Sequence, residues 1–583
     1  MKQNPSVHTE GESGGRRLLL TLLPILGLGA FVRFWGLPGQ ILGGDELHAV
    51  RAVLELSFPE ILVTYRPQDA CLPLSSLYRL LLVSPVPFSE MALRLPILLS
   101  SLALVVGGPW LLRRSIPRST AAVFAFLLAI SPIFVLYGRI VRSYAPVVLI
   151  SFAAVAVFYR WLEAPTRRLA VVYVLLAGLA IYFHLVVTAF VLAPVAFAGL
   201  ERLATVRREG FTIAALKTRL QPLAALAGGV LGIMALFLIP GWFSLGPMIG
   251  EKRQLVLPNA DTVAGVIHLQ SGSTSNLLAG LFYAVAVAGL WLLLRHRRRL
   301  GLYTLTLVLG HAVGMVVLRP LNLHLPPQFT RYNLVLIPIL LLWVAAAVTL
   351  PWWRGGRGPS RTEQGLRWTA CAGLLAALVL TSPLLQTDFR TSEFTHHKDF
   401  LGFYGPRGQL AEEDVPKFYL RLAAENRAAE NRAAENGTEQ GSEAQEEAVL
   451  EYPWHTSWRL ARTPYILQRI HRRPVYLAPM QRMLWDPRIQ IHKMIPGRPR
   501  DFLRSPARWL VVFADRGALE DRVDGDHRSP RRGWKLRGRE WDWMDREGTA
   551  MGQRLNQLWG PPDVADETIQ VWDLDRVREQ IRD

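Results

Sequence analysis

The chain has 583 residues, 51% of them hydrophobic and only 19% charged, with a formal net charge of +19. Its apolar residues gather in runs of about 18–22, the length a bilayer core demands, which excludes an ordinary soluble protein and indicates a polytopic membrane protein. The basic excess does not point to nucleic acid, because many of the basic residues stand in short loops between apolar runs. There they orient helices.

The first apolar run, 18–37, follows Lys2, Arg16 and Arg17 and lacks a small-residue cleavage site at its end, so it reads as a retained signal-anchor helix. The loop 38–90 comes next and is half apolar. Within it, Leu47 to Phe58 and Leu72 to Val83 predict helices lying in the membrane interface. Further spans are predicted near 91–112, 119–136, 146–163, 169–184, 185–201, 222–241, 276–294, 300–318, 333–350 and 368–385, for about eleven in all. No polar loop separates 169–184 from 185–201.

Arg16/Arg17, Arg113/Arg114/Arg118, Arg160/Arg167/Arg168, Arg202/Arg207/Arg208/Lys217/Arg219, Arg295/Arg297/Arg298/Arg299 and Arg354/Arg357/Arg361/Arg367 all fall on one side of this layout. That side is expected to be cytoplasmic. The N-terminus is then inside and residues 386–583 outside, in a multi-pass protein of the inner (plasma) membrane. Basic residues on the outer side break the rule and become functional suspects: Arg66, Arg79, Arg139, Arg142, Lys252, Arg253, Arg319 and Arg331.

Three domains are expected: a membrane domain over 1–385, a linker over 386–450 and a soluble extracytoplasmic domain over 451–583. The linker carries an Ala-Ala-Glu-Asn-Arg repeat at 423–436, read as a low-complexity helix or a disordered stretch. The tail alternates strand-like stretches at Pro474, Ile489, Trp509 and Ile569 with helical ones, a small α/β pattern. The fold class expected is an all-α polytopic membrane domain with a smaller C-terminal α/β domain. The cysteines, Cys71 and Cys371, are placed for neither a disulfide framework nor a cysteine metal site.

Chemistry is expected where charge meets the bilayer at a cost. Gly43-Gly44-Asp45-Glu46 places an acidic pair just after the first span. Asp45 is a candidate base, an N-cap of the following helix, or both. Asp69 in the same loop is a second acid, a metal ligand or a solvated loop residue. Arg139 and Arg142 in Tyr137-Gly-Arg-Ile-Val-Arg-Ser-Tyr-Ala-Pro are three apart, so on a helical turn they would share a face and grip one phosphate. The alternative has them snorkelling to lipid headgroups. His184 stands where its span should surface, and Arg331-Tyr332 opens the span at 333–350 as either a phosphate or sugar contact or an interfacial anchor. His324 and Gln328 are weaker suspects. His396-His397 lacks partners at metal-ligand spacing, Asn436-Gly-Thr is a chance-prone glycosylation pattern, and Trp352-Trp353 reads as an interfacial belt.

These motifs resemble the GT-C membrane glycosyltransferases, in particular the dolichyl-phosphate-mannose–protein mannosyltransferases and the bacterial lipid A aminoarabinose transferases. Gly44-Asp45-Glu46 matches the acidic pair of their first outer loop. Asp69-Ala-Cys-Leu-Pro-Leu-Ser-Ser-Leu-Tyr is similar to their acidic, proline-rich stretch, with Cys71 and Leu72 replacing its histidine and first proline. Ser89-Glu-Met-Ala-Leu-Arg-Leu-Pro and the Tyr137 to Pro146 stretch match two further elements, and His184 and Arg331-Tyr332 fit weaker ones. The resemblance covers about residues 18–350.

It implies a polyprenyl-phosphate-dependent hexosyl- or pentosyltransferase acting on a lipid, glycan or protein hydroxyl with inversion. Asp45 would be the base, with Glu46 and Asp69 positioning the acceptor or a divalent metal ion. Arg139, Arg142, Tyr144, His184, Arg331 and Tyr332 would bind substrate. Two other readings stay open at this point: a transporter or flippase of a lipid-linked sugar, and a membrane scaffold whose tail is the working part. Repeated halves and charged or broken helices near the midplane, the marks of many transporters, are not evident in the sequence.

Overall fold

The computed structural model describes residues 6–35, 57–63, 75–78, 90–251, 256–351 except 274, 412–435, 447–452, 475–477, 499–505, 507–515, 535–582 and a few single positions between them. They fall into two compact units, one drawn from residues before 398 and one dominated by those from 398 onward.

The first unit is helical. Its helices are α1 (Ser6–Phe34), α2 (Phe58–Val63), α3 (Glu90–Leu112), α4 (Arg118–Ile130), α5 (Pro132–Tyr137), α6 (Tyr144–Glu163), α7 (Arg167–Phe183) and α8 (Thr188–Glu209). There follow α9 (Ile213–Leu238), α10 (Trp242–Glu251), α11 (Ala260–Ser271), α12 (Asn276–His296), α13 (Arg298–Leu318), α14 (Pro326–Tyr332) and α15 (Ile337–Thr349). Among the described residues, six stretches are long and apolar enough to cross a membrane, and Leu18–Phe34, Arg118–Ile130 and Leu334–Thr349 are shorter apolar helices. A helix or helix pair stands at every predicted run up to 333–350. The run predicted at 368–385 lies outside the described residues.

α15 is apolar all round and buried along its length, as a central helix must be. Its neighbours lock onto it by small residues and single polar bonds. Trp343 donates to Thr304 of α13 at 2.9 Å, and Thr120 of α4 meets Thr349 at 2.6 Å. α12 crosses α15 at Gly289, where an added Cβ would stand 1.7 Å from the Trp343 carbonyl oxygen. Close backbone approach at a small residue is how membrane helices gain packing. No rotamer change relieves a clash with a backbone atom, so Gly289→Ala should force the helices apart and cost about 1–3 kcal/mol. Gly280→Ala in the same helix, with open space at its Cβ, should leave the thermal midpoint in detergent unchanged or slightly raised.

One end of the bundle collects the basic helix ends. Arg299 forks onto Glu201 at 2.8 and 3.0 Å and donates to the Leu162 carbonyl at 3.2 Å, while Ser115 donates to Glu163 at 3.2 Å. Arg113, in the turn after α3, has its pKa lowered by burial and then by the neighbouring Arg160 and Arg114. α6 runs from Tyr144 to this end, α7 runs away from it to Phe183, and α13 runs away from it to Leu318. Tyr144 and His184 therefore sit at the opposite end.

The second unit is a five-stranded sheet with helices on both faces. Its elements are α16 (Lys417–Glu435), β1 (Val449–Tyr452), β2 (Val475–Leu477), α17 (Pro499–Leu503), β3 (Trp509–Phe513), α18 (Lys535–Trp559), β4 (Val564–Ala565), β5 (Ile569–Asp573) and α19 (Leu574–Arg582). The strand order is β2-β1-β3-β5-β4, with β2, β1 and β3 parallel and β5 antiparallel to both β3 and β4. Alternation along the strands splits the core. Val449, Trp509, Val511, Ile569 and Val571 face Phe418, Tyr419 and Leu422 of α16. Leu450, Leu510, Val512 and Trp572 face Met551, Leu555, Leu574 and Val577. The stretch read from sequence as a linker, 386–450, thus supplies a core helix and the first two residues of strand β1. The strand-like stretch at Ile489 lies outside the described residues.

Candidate functional site

The end of the bundle opposite the basic one is built from helix breaks. α4 stops at Ser131-Pro132 because Pro132 has no N–H for the carbonyl of Leu128. The chain restarts at once as α5, with Pro132 in its first turn. Arg33, fully buried near the end of α1, replaces the missing donor. Its Nη2 donates to Leu128 O at 3.1 Å, Nη1 to Ala129 O at 2.8 Å and to Gly29 O at 3.0 Å, and Nε to Ser101 Oγ at 2.8 Å. A cation at the carbonyl end of a helix also suits the helix dipole. Ser101 reaches on to Phe134 O at 3.4 Å. Gly138, which ends α5, is pressed so close that an added Cβ would lie 2.5 Å from Ser101 Oγ. The far side of α5 is held by α11, whose left-handed cap Gly272 would put a Cβ 2.5 Å from Pro132.

Residues 138–143, which carry the two expected arginines, are a turn and bend rather than a helix. The Arg139 N–H bonds Leu136 O at 3.0 Å and the Arg142 N–H bonds Ile140 O at 2.7 Å. Arg139 and Arg142 therefore share no helical face, which corrects the expectation drawn from their spacing. Gly138 ends one helix, and the next begins only at Tyr144, with Pro146 in a first turn that tolerates it. Arg139 is buried in the wall and Arg142 is half-buried.

His184 is the one extended residue between α7 and a short turn of 3-10 helix, Leu185–Val187 (φ −160°, ψ 108°). This single residue marks the break that no polar loop announces. Arg331 and Tyr332 end α14, which α11 ties down through a 2.7 Å bond from Thr262 to the His324 carbonyl.

Four of the expected residues close a circuit. The Tyr144 and His184 rings are 6.1 Å apart, His184 and Tyr332 5.9 Å. The Arg331 guanidinium carbon lies 5.4 Å from the Tyr332 ring centre and 5.9 Å from that of Tyr144. Tyr137 packs edge-on against Tyr144 at 5.1 Å. The Tyr332 hydroxyl donates to Leu321 O at 3.2 Å. Cation–π contacts engage the face of a guanidinium. Its N–H edge is the part that matches a phosphate.

Asp45, Glu46 and Asp69 lie outside the described residues, as do Arg66, Arg79, Lys252, His396-His397 and both cysteines. Among the described residues no group of three His, Cys, Asp or Glu could hold a metal ion. Arg253 bridges to Pro320, and Arg319 is a left-handed cap donating to Val316 O. Gln328 is buried. The reading from sequence missed Arg33. Its one signal was a lone charge inside an apolar run, a feature that in a membrane calls for a partner.

No protein-family model matches the chain, and no curated protein does. Among solved structures it is similar to the archaeal oligosaccharyltransferase AglB from Archaeoglobus fulgidus in complex with an inhibitory peptide and a dolichol-phosphate. That match has 12% identity and a TM-score of 0.44, covering 87% of this chain and 71% of that one. It is also similar to ArnT from Cupriavidus metallidurans bound to undecaprenyl phosphate, with 16% identity and a TM-score of 0.42, covering 69% of this chain and 68% of that one. A likeness this distant transfers no residue roles.

Proposed function

We propose that the chain is a multi-pass glycosyltransferase of the inner (plasma) membrane. It takes a sugar from a polyprenyl-phosphate carrier and passes it, with inversion, to a lipid, glycan or protein hydroxyl on the extracytoplasmic face. The observation that carries this reading is the circuit of Tyr144, His184, Tyr332 and Arg331. Its members come from three distant segments and meet at the end of the bundle opposite its basic rim. An aromatic anchor belt would set such side chains toward lipid, whereas Tyr144 is only 5% exposed.

The division of labour follows from the leaving group. A polyprenyl phosphate departs as a stable anion and needs cations rather than an acid. Arg331, whose guanidinium carbon lies within 6 Å of two tyrosine ring centres, supplies the fork, and Arg142 supplies a second charge. The rings of His184, Tyr144 and Tyr332 offer flat surfaces and polar tips to a sugar. The acceptor hydroxyl needs a base, and Asp45 is assigned that role from sequence. Glu46 and Asp69 orient the acceptor or a divalent ion.

The test is donor binding and transfer with a labelled polyprenyl-phosphate sugar and the full chain in membranes. Arg331→Ala should weaken donor affinity roughly 10- to 100-fold, the worth of a charge-assisted contact of about 1.5–3 kcal/mol. Arg331→Lys should fall between, since it keeps the charge and loses the fork. Unchanged donor affinity in Arg331→Ala would remove the circuit from the site.

A further inference from the structure

Behind the circuit stands a histidine that the mechanism above does not use. His311 lies in α13, fully buried, inside an apolar stretch. An imidazole in such surroundings is costly unless it is hydrogen-bonded. Its Nε2 lies 3.1 Å from the backbone carbonyl oxygen of Tyr332. A carbonyl only accepts, so Nε2 carries the proton and donates. That carbonyl belongs to the last residue of α14 and would be an orphan acceptor at the helix end. The next turn does not take it, because the Leu336 N–H bonds Asn333 O instead, at 3.0 Å.

The platform beneath His311 is rigid. On either side of it, Gly310 and Gly314 press α13 onto α8, where added Cβ atoms would stand 2.7 Å from Ala193 and 2.4 Å from Ala189. The His311 ring also meets Phe190 of α8 edge-on at 6.0 Å. α8 leads directly from the turn that follows His184. One imidazole thus touches the helix behind His184 and the main chain of Tyr332, two limbs of the circuit.

We infer that His311 is a positioning residue for donor binding: through its Nε2–H bond to the Tyr332 carbonyl it fixes Tyr332, and with it Arg331, in register with His184. This rests on the proposed donor site.

The test uses the full chain in detergent or membranes and reads three quantities together: thermal midpoint, donor KM and kcat. His311→Leu fills similar space without a donor and suits its apolar surroundings. It strands the Tyr332 carbonyl, so the midpoint should fall by a few degrees, while donor KM rises roughly tenfold with kcat nearly unchanged. His311→Gln, whose amide reaches about as far as Nε2, should bring KM back toward wild type. A purely structural histidine would also lower the midpoint but leave KM alone. An unchanged KM in His311→Leu overturns the inference, and so does a Gln variant as impaired as Leu at an unaltered midpoint. Should His311→Leu fail to fold, an elevated KM in Gln relative to wild type also overturns it. If the wild type itself binds and transfers no polyprenyl-phosphate sugar, the proposed function has failed, which is a different result from any of these.

Discussion

Arg33→Leu should destabilise the membrane unit by about 3–5 kcal/mol, a large share of the stability a folded domain has to lose. Four hydrogen bonds converge on this one side chain, to Ser101, Gly29, Leu128 and Ala129. The Leu128 carbonyl is the decisive acceptor. Proline at 132 removes the helical donor it would otherwise have, so without Arg33 it is left buried and unpaired, at about 1–3 kcal/mol for that group alone. The bonds to Ala129 and Ser101 add the remainder. Arg33→Lys should recover only part, because an ammonium is a point donor and cannot span acceptors on two other helices as a planar fork does. The measurement is the thermal midpoint in detergent, read beside donor affinity. Loss of Arg33 loosens α5 and the turn leading to Tyr144, so affinity and midpoint should fall together. Arg331→Ala should lower affinity alone. An Arg33→Leu variant as stable as wild type would show that the break at Ser131-Pro132 is held by something other than this guanidinium.

The spans were legible because a bilayer imposes one length on every apolar run. The breaks inside them were not, since they turn on single residues. Pro132 splits the run 119–136, and the break between α7 and the 3-10 turn that leads into α8 turns on His184. Hydropathy averages both away. The same averaging concealed Arg33 and His311, whose polar atoms are satisfied by carbonyls from distant segments. Tyr144, His184, Arg331 and Tyr332 were readable because each stands where a span should surface, and surface position follows from counting residues. The spacing of Arg139 and Arg142 misled because it presumes a helix that Gly138 ends. In the tail, Val449–Tyr452 escaped notice beside the low-complexity repeat, although all four of its residues are buried and it pairs with both β2 and β3. A strand buried on both faces shows no alternation to detect.

On the proposed reaction, Asp45→Asn should lower kcat by about 10²–10⁴, the usual worth of a positioned general base. Asparagine keeps the shape and the capping oxygen of aspartate, so folding and donor affinity should hold while proton removal from the acceptor hydroxyl fails. This separates the base from the cap, the two roles the sequence allowed. A cap is satisfied by either residue; a base is not. Arg331 acts on the other half of the reaction, holding the phosphate in both ground and transition states, so its loss belongs in donor KM. If the two roles are independent, kcat/KM of the double variant should fall by the product of the single effects. A double variant no worse than Asp45→Asn alone would mean that the arginine matters only when the base is present. Transfer by Asp45→Asn at the wild-type rate would take Asp45 out of the chemistry and require another group to serve as the base.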